Sequence, residues 1–526
     1  MYKQKILWYN TSVNNILGTD TKLEKIAIID LGSNTARLLI IDIQDDGTFS
    51  IVDQLKEAPR LGEGMERDGF LKPARIHETV TTLKMFRKLC DAYSVDKVIA
   101  VATAAVRHAK NQRSFLDEVS AICGLKLRVL TAEEEAMYVY KGVINTMDIA
   151  KGLIFEIGGG STKIVYYNRR NLLNYATLPF GAITLTELFA KEGEDPVATT
   201  NKIEEFLVEQ LNQIEWLKEV DPETQLIGVG GSFRNLARVS KIMGKYPLRT
   251  IHNYVVTGED FEHTYNLLKN LDIDRKRKIK GISSGRADIL PSAFAAISAF
   301  KKYMNIDNIV ISGSGLRTGL VFNYAVPITQ EKPIQDVLGF SLNTIINNFG
   351  CNKTHIENVL NLSVQLFKQL RVLHKFPRQY LKIMKVAASL HETGNKIHFY
   401  NFEKHSGYVV LNSNLYGISH RDMVLASFVV ANSEIEDVNL IEWARYKDFV
   451  TEEDLEAVKK MGVMLRLADS LDRCSLGLVK NINCDILGDS VIMKTEVEGD
   501  AGLEINAALQ ISSDFRKTFR KNLEIL

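Results

Sequence analysis

The chain has 526 residues, 45% of them hydrophobic and 25% charged, with 65 basic and 64 acidic side chains and a net charge of +1. That balance fits about three or four folded domains and excludes a disordered chain, a collagen-like chain and a coiled-coil rod. A near-neutral field also argues against a nucleic-acid coat or membrane-surface protein, and no apolar run approaches the roughly 20 residues of a membrane helix. Five cysteines (Cys90, Cys123, Cys351, Cys474 and Cys484) are odd in number and form no C-x-x-C pair. Neither a disulfide framework nor a cysteine zinc site is expected, and a reduced, cytoplasmic setting is.

Residues 1–24 read as a poorly ordered leader. Lys25 opens a strand, IAIIDLG, which runs through the loop SNT into a second, ARLLIIDI. Uninterrupted apolar runs predict strands buried on both faces. A helical region follows over 73–94, then a strand, KVIAVAT, and a helix near Ala104–Lys110. The pattern restarts at GLIFE (Gly152–Glu156), followed by STKIVYYN. Asp30 and Glu156, 126 residues apart, hold the same place in matching strand–acid–x–Gly–loop–strand units. This predicts an internal repeat of two α/β halves.

Two further strand–glycine turns, LIGVGGS (226–232, with Gly231 and Ser232) and IVISGSG (309–315), precede predicted helices. Such turns let a backbone approach a phosphate. After Pro327 the periodicity is helical over 328–480. Residues 481–526 read as strands in CDILGDSVIMKTEV and LEINAALQI, ending in a basic helix. Boundaries fall near 147, 326 and 480: α/β halves over 25–147 and 148–326, a helical region over 327–480, and a small α+β piece over 481–526.

Several segments carry candidate chemistry. In Asp30-Leu-Gly-Ser-Asn-Thr35, Ser33 and Asn34 could hold phosphate while Asp30 holds a divalent cation; taken alone, the segment reads as a hairpin turn with a capping aspartate. Glu156-Ile-Gly-Gly-Gly-Ser-Thr162 is more specific. Three glycines (Gly158, Gly159, Gly160) between apolar strands weaken a sheet without packing benefit, and a phosphate nest followed by Ser161 and Thr162 accounts for that cost. In Thr131-Ala-Glu-Glu-Glu135, Thr131 and Glu134 fit a capping box and Glu133 suits the helix dipole. Glu135 is left without a structural task, so it is the candidate general base; a solvated acidic helix start is the alternative. Arg107 and Arg286 suit phosphate oxygens or surface ion pairs. The run Arg275–Lys280 reads as a solvated face or a guide for a long polyanion. His355, the pair His391-Glu392 and Asp469 lie on separate predicted helices, where they could converge on a metal or be hydrogen-bonded core residues.

Taken together, AIIDLGSNTARLLI, VATAAVRHAKN, LTAEEEAMYVYKGV, FEIGGGSTKIV, LPFGAITLTELF, GVGGSFRNLA, SSGRADILP and ISGSGLRTGL, in this order, resemble the exopolyphosphatase/guanosine pentaphosphate phosphohydrolase family. The likeness continues through LHETGNKIHFYNFEKHSGYVVLNSNLYGIS. It implies two duplicated actin-like, sugar-kinase-type (ribonuclease H-like) α/β domains with an interdomain cleft. An all-α domain similar to HD metal-dependent phosphohydrolases and a small C-terminal α+β piece follow. It implies magnesium-assisted release of a terminal phosphate from inorganic polyphosphate, or from guanosine penta- or tetraphosphate, by attack of water. Glu135 matches the water-activating glutamate, and Asp30 and Glu156 the two cleft acids. The loop 158–162, with Ser33, Asn34, Arg107 and Arg286, matches phosphate-contacting positions. No nucleic acid or membrane partner is implied, and a homodimer is expected.

The chain departs from the family's usual residues at Glu156, where Asp is usual, and at Lys163, where Glu is usual. Lys163 could hold a phosphate oxygen or point away along its strand. It motivates an alternative expectation, a catalytically weak polyphosphate- or alarmone-binding protein. In the helical region His391-Glu392 stands where HD enzymes have His-Asp.

Overall fold

The computed structural model describes residues 24–190, 195–327, 333–432 and 440–526. The expected leader lies outside the described residues except for Glu24, which opens the first strand. In the first half, β1 (Glu24–Leu31), β2 (Ala36–Ile43) and β3 (Phe49–Glu57) form an antiparallel meander. β4 (Lys97–Ala102) and β5 (Leu127–Val129) continue the sheet in parallel on the other side of β1. The strand order is β3-β2-β1-β4-β5.

The second half repeats this plan. β6 (Lys151–Ile157), β7 (Thr162–Asn168) and β8 (Asn171–Leu178) form the meander, and β9 (Gln225–Val229) and β11 (Ile309–Ile311) extend it in parallel. β10 (Tyr254–Val256) adds an antiparallel edge. The registers correspond as well. Asp30 pairs with Arg37 across β1 and β2, and Glu156 pairs with Lys163 across β6 and β7. Directly paired residues share one face of a sheet, so each half sets a cation beside its acid.

Four helices frame the cleft between the halves: α1 (Ala132–Ile144), α2 (Ala182–Phe189), α3 (Gly231–Met243) and α4 (Leu316–Ala325). α1 begins at the predicted capping box: Thr131 Oγ1 accepts from Glu134 N at 3.1 Å, and Glu134 Oε2 accepts from Thr131 N at 2.9 Å. α1 and α4 lie backbone against backbone. A Cβ at Gly319 would strike the Tyr138 carbonyl, and one at Gly142 the Gly315 carbonyl. A central core joins both sheets to these two helices, with Ile28, Val139, Ile154 and Leu320 among its members. The outer face of each sheet has a separate core.

The helical region includes α5 (Lys353–Gln369), α6 (Tyr380–Leu390) and α7 (Glu452–Ser470) around its own core. It is tied to the second half by His420 Nε2 on the His252 carbonyl at 2.8 Å, and by Asn253, which donates to the Ile418 carbonyl at 2.9 Å. The C-terminal sheet, β12 (Val479–Leu487), β13 (Ser490–Val497) and β14 (Asn522–Ile525), corrects one expectation. The segment LEINAALQI is not a strand: it forms helix α8 (Gly502–Leu509), followed by α9 (Ser512–Phe519). Its buried positions, Ala501, Glu504 and Ala508, recur at helical spacing. The basic stretch then runs from α9 into β14 rather than ending as a helix. Among the described residues no helix is long and apolar enough to cross a membrane.

Candidate active site

The glycine-rich loop connects β6 to β7, and Gly158 N donates to the Ser161 carbonyl at 2.9 Å to close it. Its glycines are needed for space. A Cβ at Gly159 would stand 3.0 Å from Ser33 Cβ, and one at Gly160 would stand 2.8 Å from Ser33 Oγ. The acid–glycine loops of the two halves therefore touch across the cleft floor. The first two amides of α2, at Ala182 and Ile183, are spent on the Gly158 and Gly159 carbonyls at 2.9 Å. Asn34 is buried with both side-chain polar atoms unpartnered, so its amide is available to a ligand.

Gly230 ends β9 with φ +99°, a backbone state natural to glycine. This turn brings Gly231 beneath the Arg286 guanidinium, leaving no room for a side chain at that position.

Glu135, 1% exposed at the start of α1, is held by two cations. Lys163 Nζ is 2.9 Å from its Oε1, and Arg107 Nη1 is 2.6 Å from its Oε2. Lys163 Nζ also lies 3.4 Å from Glu156 Oε2. Burial pushes the Glu135 carboxyl up, but Lys163 and Arg107 outweigh it and hold the group below the usual carboxylate range. Burial likewise pulls the Lys163 ammonium down, while Glu135 and Glu156 overcome it and keep the group protonated. Asp30 behaves differently. Burial raises its carboxyl, and Arg37 and Arg317 offset this only in part.

Glu156 Oε2 is buried without a hydrogen-bond partner. With Asp30 on the same cavity wall, this pair suits one divalent cation, the magnesium position expected from sequence. Glu135 is already neutralised by protein cations, Lys163 at one oxygen and Arg107 at the other.

Beside the loops opens a cavity of about 410 Å³. Arg37, Lys56, Arg234, Arg238, Arg286 and Arg317 line it, and among the described residues Asp30 and Glu156 are the acids on its wall. Among the described residues none of these six cations has an ion pair with an acid. Loss of water at the cavity wall, then the guanidiniums of Arg37, Arg286, Arg234 and Arg238, pull the Lys56 ammonium down to about 8. Burial and neighbouring guanidiniums act in the same direction on Arg234, Arg286 and Arg317. Cations crowded without counter-charge make a receptor for a polyanion.

Ser33, Asn34, Gly158, Gly159, Gly160, Ser161, Lys163, Gly231 and Arg286 all line the cleft with Asp30, Glu135 and Glu156. Three other expected phosphate contacts have different surroundings. Thr162 Oγ1 donates to the Phe180 carbonyl at 2.8 Å. Ser232 is wholly buried and lines neither cavity. Arg107 grips Glu135 and the Leu130 carbonyl. The run 275–280 lies outside the cavity, and Arg275 and Arg277 pair with Asp272 and Asp274. Sequence reading missed Arg37, Lys56, Arg234, Arg238 and Arg317. One signal was present: Arg37 precedes Lys163 by the same 126 residues that separate the two acids.

In the helical region α5, α6 and α7 bring His355, His391 and Asp469 together, with facing atoms 3.1–3.3 Å apart. His355 Nδ1 contacts Asp472 at 2.8 Å, and His391 Nδ1 contacts the Ala388 carbonyl at 2.8 Å. Both Nε2 atoms therefore face one point, with outer partners fixing the rings as in metal sites. Glu392 Oε1 stands 3.6 Å from His355 Nε2. Burial lowers His355, but Asp469, Asp472 and Glu392 outweigh it and push the imidazole up to about 10. His398 faces the Tyr400 carbonyl and His405.

Comparison with known proteins agrees with this architecture. Residues 39–326 match the Ppx/GppA phosphatase family, and residues 339–507 match Ppx/GppA phosphatase, domain III. A curated relative, the guanosine-5'-triphosphate,3'-diphosphate pyrophosphatase of Aeromonas hydrophila, is 25% identical over 422 residues, covering 78% of this chain and 81% of that protein. Among solved structures, an exopolyphosphatase from Cytophaga hutchinsonii is 26% identical with a TM-score of 0.54, covering 57% of this chain and 98% of that one. The Aquifex aeolicus member of the Ppx/GppA family is 28% identical with a TM-score of 0.50, covering 59% of this chain and 100% of that one. With more than half its length matched by the family's own pattern, the chain belongs to the Ppx/GppA phosphatase family.

Proposed function

We propose that this chain is an exopolyphosphatase that releases the terminal phosphate of inorganic polyphosphate by attack of water. The observation that carries this reading is the six-cation cavity beside the glycine loops and Glu135. The terminal phosphate would sit against Ser33, Asn34, the 158–161 loop and Arg286, while the following phosphates neutralise Arg37, Arg234, Arg317 and Lys56.

Phosphoryl transfer demands positioning and charge stabilisation more than a strong base. Held ionised, Glu135 accepts a hydrogen bond from the attacking water and orients it. The water oxygen bonds to phosphorus as the bridging P–O bond breaks; the proton passes to Glu135 and on to solvent, and the chain leaves one phosphate shorter. Magnesium, held by Asp30 and Glu156, would offset phosphate charge. The His355–His391–Asp469 cluster as a second divalent-metal site, and a homodimer, belong to the same reading.

Guanosine pentaphosphate as substrate is the second reading, favoured by the name of the Aeromonas relative. Against it, the cavity wall offers no aromatic ring to a purine. Phosphate release from long-chain polyphosphate and from guanosine pentaphosphate, measured side by side, separates the two. Faster turnover of polyphosphate is expected. Release from the nucleotide alone would replace this reading with the second, and tight binding without release would make the chain a sensor.

A further inference from the structure

We propose that Lys163 is a resident cation of the cleft, standing between Glu135 and Glu156 in the place where a divalent ion would otherwise bridge those carboxylates. This deepens the reading of the cleft as a phosphate-releasing site and rests on it. The duplicated architecture supplies the first support. Lys163 faces Glu156 across β6 and β7 in the same register in which Arg37 faces Asp30 across β1 and β2. Each half thus carries its own cation beside its own acid.

The contacts supply the second. Lys163 Nζ takes Glu135 Oε1 at 2.9 Å, Arg107 takes Oε2 at 2.6 Å, and Lys163 reaches Glu156 Oε2 at 3.4 Å. Each oxygen of Glu135 thus already faces a protein cation. The ammonium is 4% exposed and lies beneath the glycine loop, 3.8 Å from where a Gly158 Cβ would be. A divalent ion bridging Glu135 and Glu156 would meet this buried charge at close range and be repelled. Magnesium is thereby confined to the Asp30 side.

An ammonium has three donors. One faces Glu135 at 2.9 Å, and Glu156 Oε2 at 3.4 Å is an ion-pair contact without a hydrogen bond, so donor capacity remains for a phosphate oxygen or the attacking water. Lys163 keeps its proton through the reaction, so it is a positioning residue acting through Glu135.

The test counts manganese ions bound to the full chain without substrate, by electron paramagnetic resonance, in the wild type, Lys163→Met, Lys163→Gln and Lys163→Arg. The two neutral variants should each bind one ion more per chain than the wild type, and the arginine variant no more. Adding Glu135→Gln to Lys163→Met should remove the gained ion. In phosphate release, going from limiting to saturating magnesium should change wild-type turnover by less than about 3-fold and the neutral variants by more than about 10-fold, because a lost point charge must be replaced by a bound one.

Equal manganese counts in the folded wild type and both neutral variants would overturn the proposal. So would loss of a wild-type ion on Glu135→Gln alone, a result that needs no Lys163 variant to fold. A wild type that releases phosphate from no substrate would sink the functional reading and leave the ion count to decide this one.

Discussion

The cleft and the helical cluster are charged in opposite senses. In the cleft, six cations crowd one cavity with two acids on its wall. In the helical region, Asp469, Asp472 and Glu392 surround His355 and His391. The first arrangement is short of negative charge and the second of positive charge. A buried charge without a partner is costly, so the sign of each imbalance indicates its ligand: a polyanion in the cleft, and a proton or metal cation among the helices. The cleft also contains a balanced zone, Arg107–Glu135–Lys163–Glu156, two cations with two acids. In the proposed function the chemistry takes place there, and the unbalanced zone does the holding.

The sharpest way to break this division is Glu135→Gln, which keeps shape and removes the charge. Turnover should fall about 10²-fold or more, the usual size of general-base effects, with substrate affinity largely kept. Wild-type turnover would remove Glu135 from the balanced zone's task. Neutralising the holding zone should show the reverse pattern. Arg234→Met or Arg317→Met should weaken polyphosphate binding by about 10-fold, as expected for one lost charge-assisted hydrogen bond. The loss should shrink as salt rises. A fall in turnover at saturating substrate, with affinity intact, would merge the two zones.

The helical cluster is tested by heat. Zinc that binds only the folded chain should raise the wild-type melting temperature by roughly several degrees. His391→Ala should remove most of that rise, whereas an unchanged rise would place the zinc elsewhere. A smaller effect concerns pH. With its ammonium pulled down to about 8 by burial and the surrounding guanidiniums, Lys56 should gain a proton when polyphosphate binds. Affinity should therefore be full below that value and decline by a few-fold as pH rises through it. Lys56→Met should flatten that limb of the profile. The smallest change is expected from replacing the five cations of 275–280 by Gln. They lie outside the cavity and are partly paired with Asp272 and Asp274, so binding should shift by less than about 2-fold. A large, chain-length-dependent loss would extend the holding zone along the surface.

The repeat was legible because it is written as spacing: Asp30 and Glu156 end equivalent strands in equivalent turns. Glu135 was legible by elimination, since the capping box used Glu134 and the helix dipole accounted for Glu133. The cation cavity was not. Its members come from β2, β3, the starts of α3 and α4 and the turn at Arg286, places with no common period. Only the three-dimensional closure of the two halves collects them. Arg107 was found but given a phosphate, because a chain pattern does not show that its reach is taken by Glu135. The α8 segment failed for a local reason. LEINAALQI looks apolar enough for a strand, yet its alanines and the spacing of its buried positions favour a helix.

The contact between α1 and α4 governs how this cleft can change shape. Glu135 stands at the start of α1 and Arg317 at the start of α4, and the two helices meet through Gly142 and Gly319 with no side chain between them. Backbones already touching have no slack to compress; the freedom left to them is pivoting. A pivot moves its surroundings in proportion to distance. Parts near it keep their spacing while the rim sweeps through an arc. A second tie joins the halves by charge, Arg60 of the first to Asp288 of the second at 2.6 Å. Glu135 and Arg317 thus start from a joint made of bare backbone, where a single added methyl group would push the two halves apart.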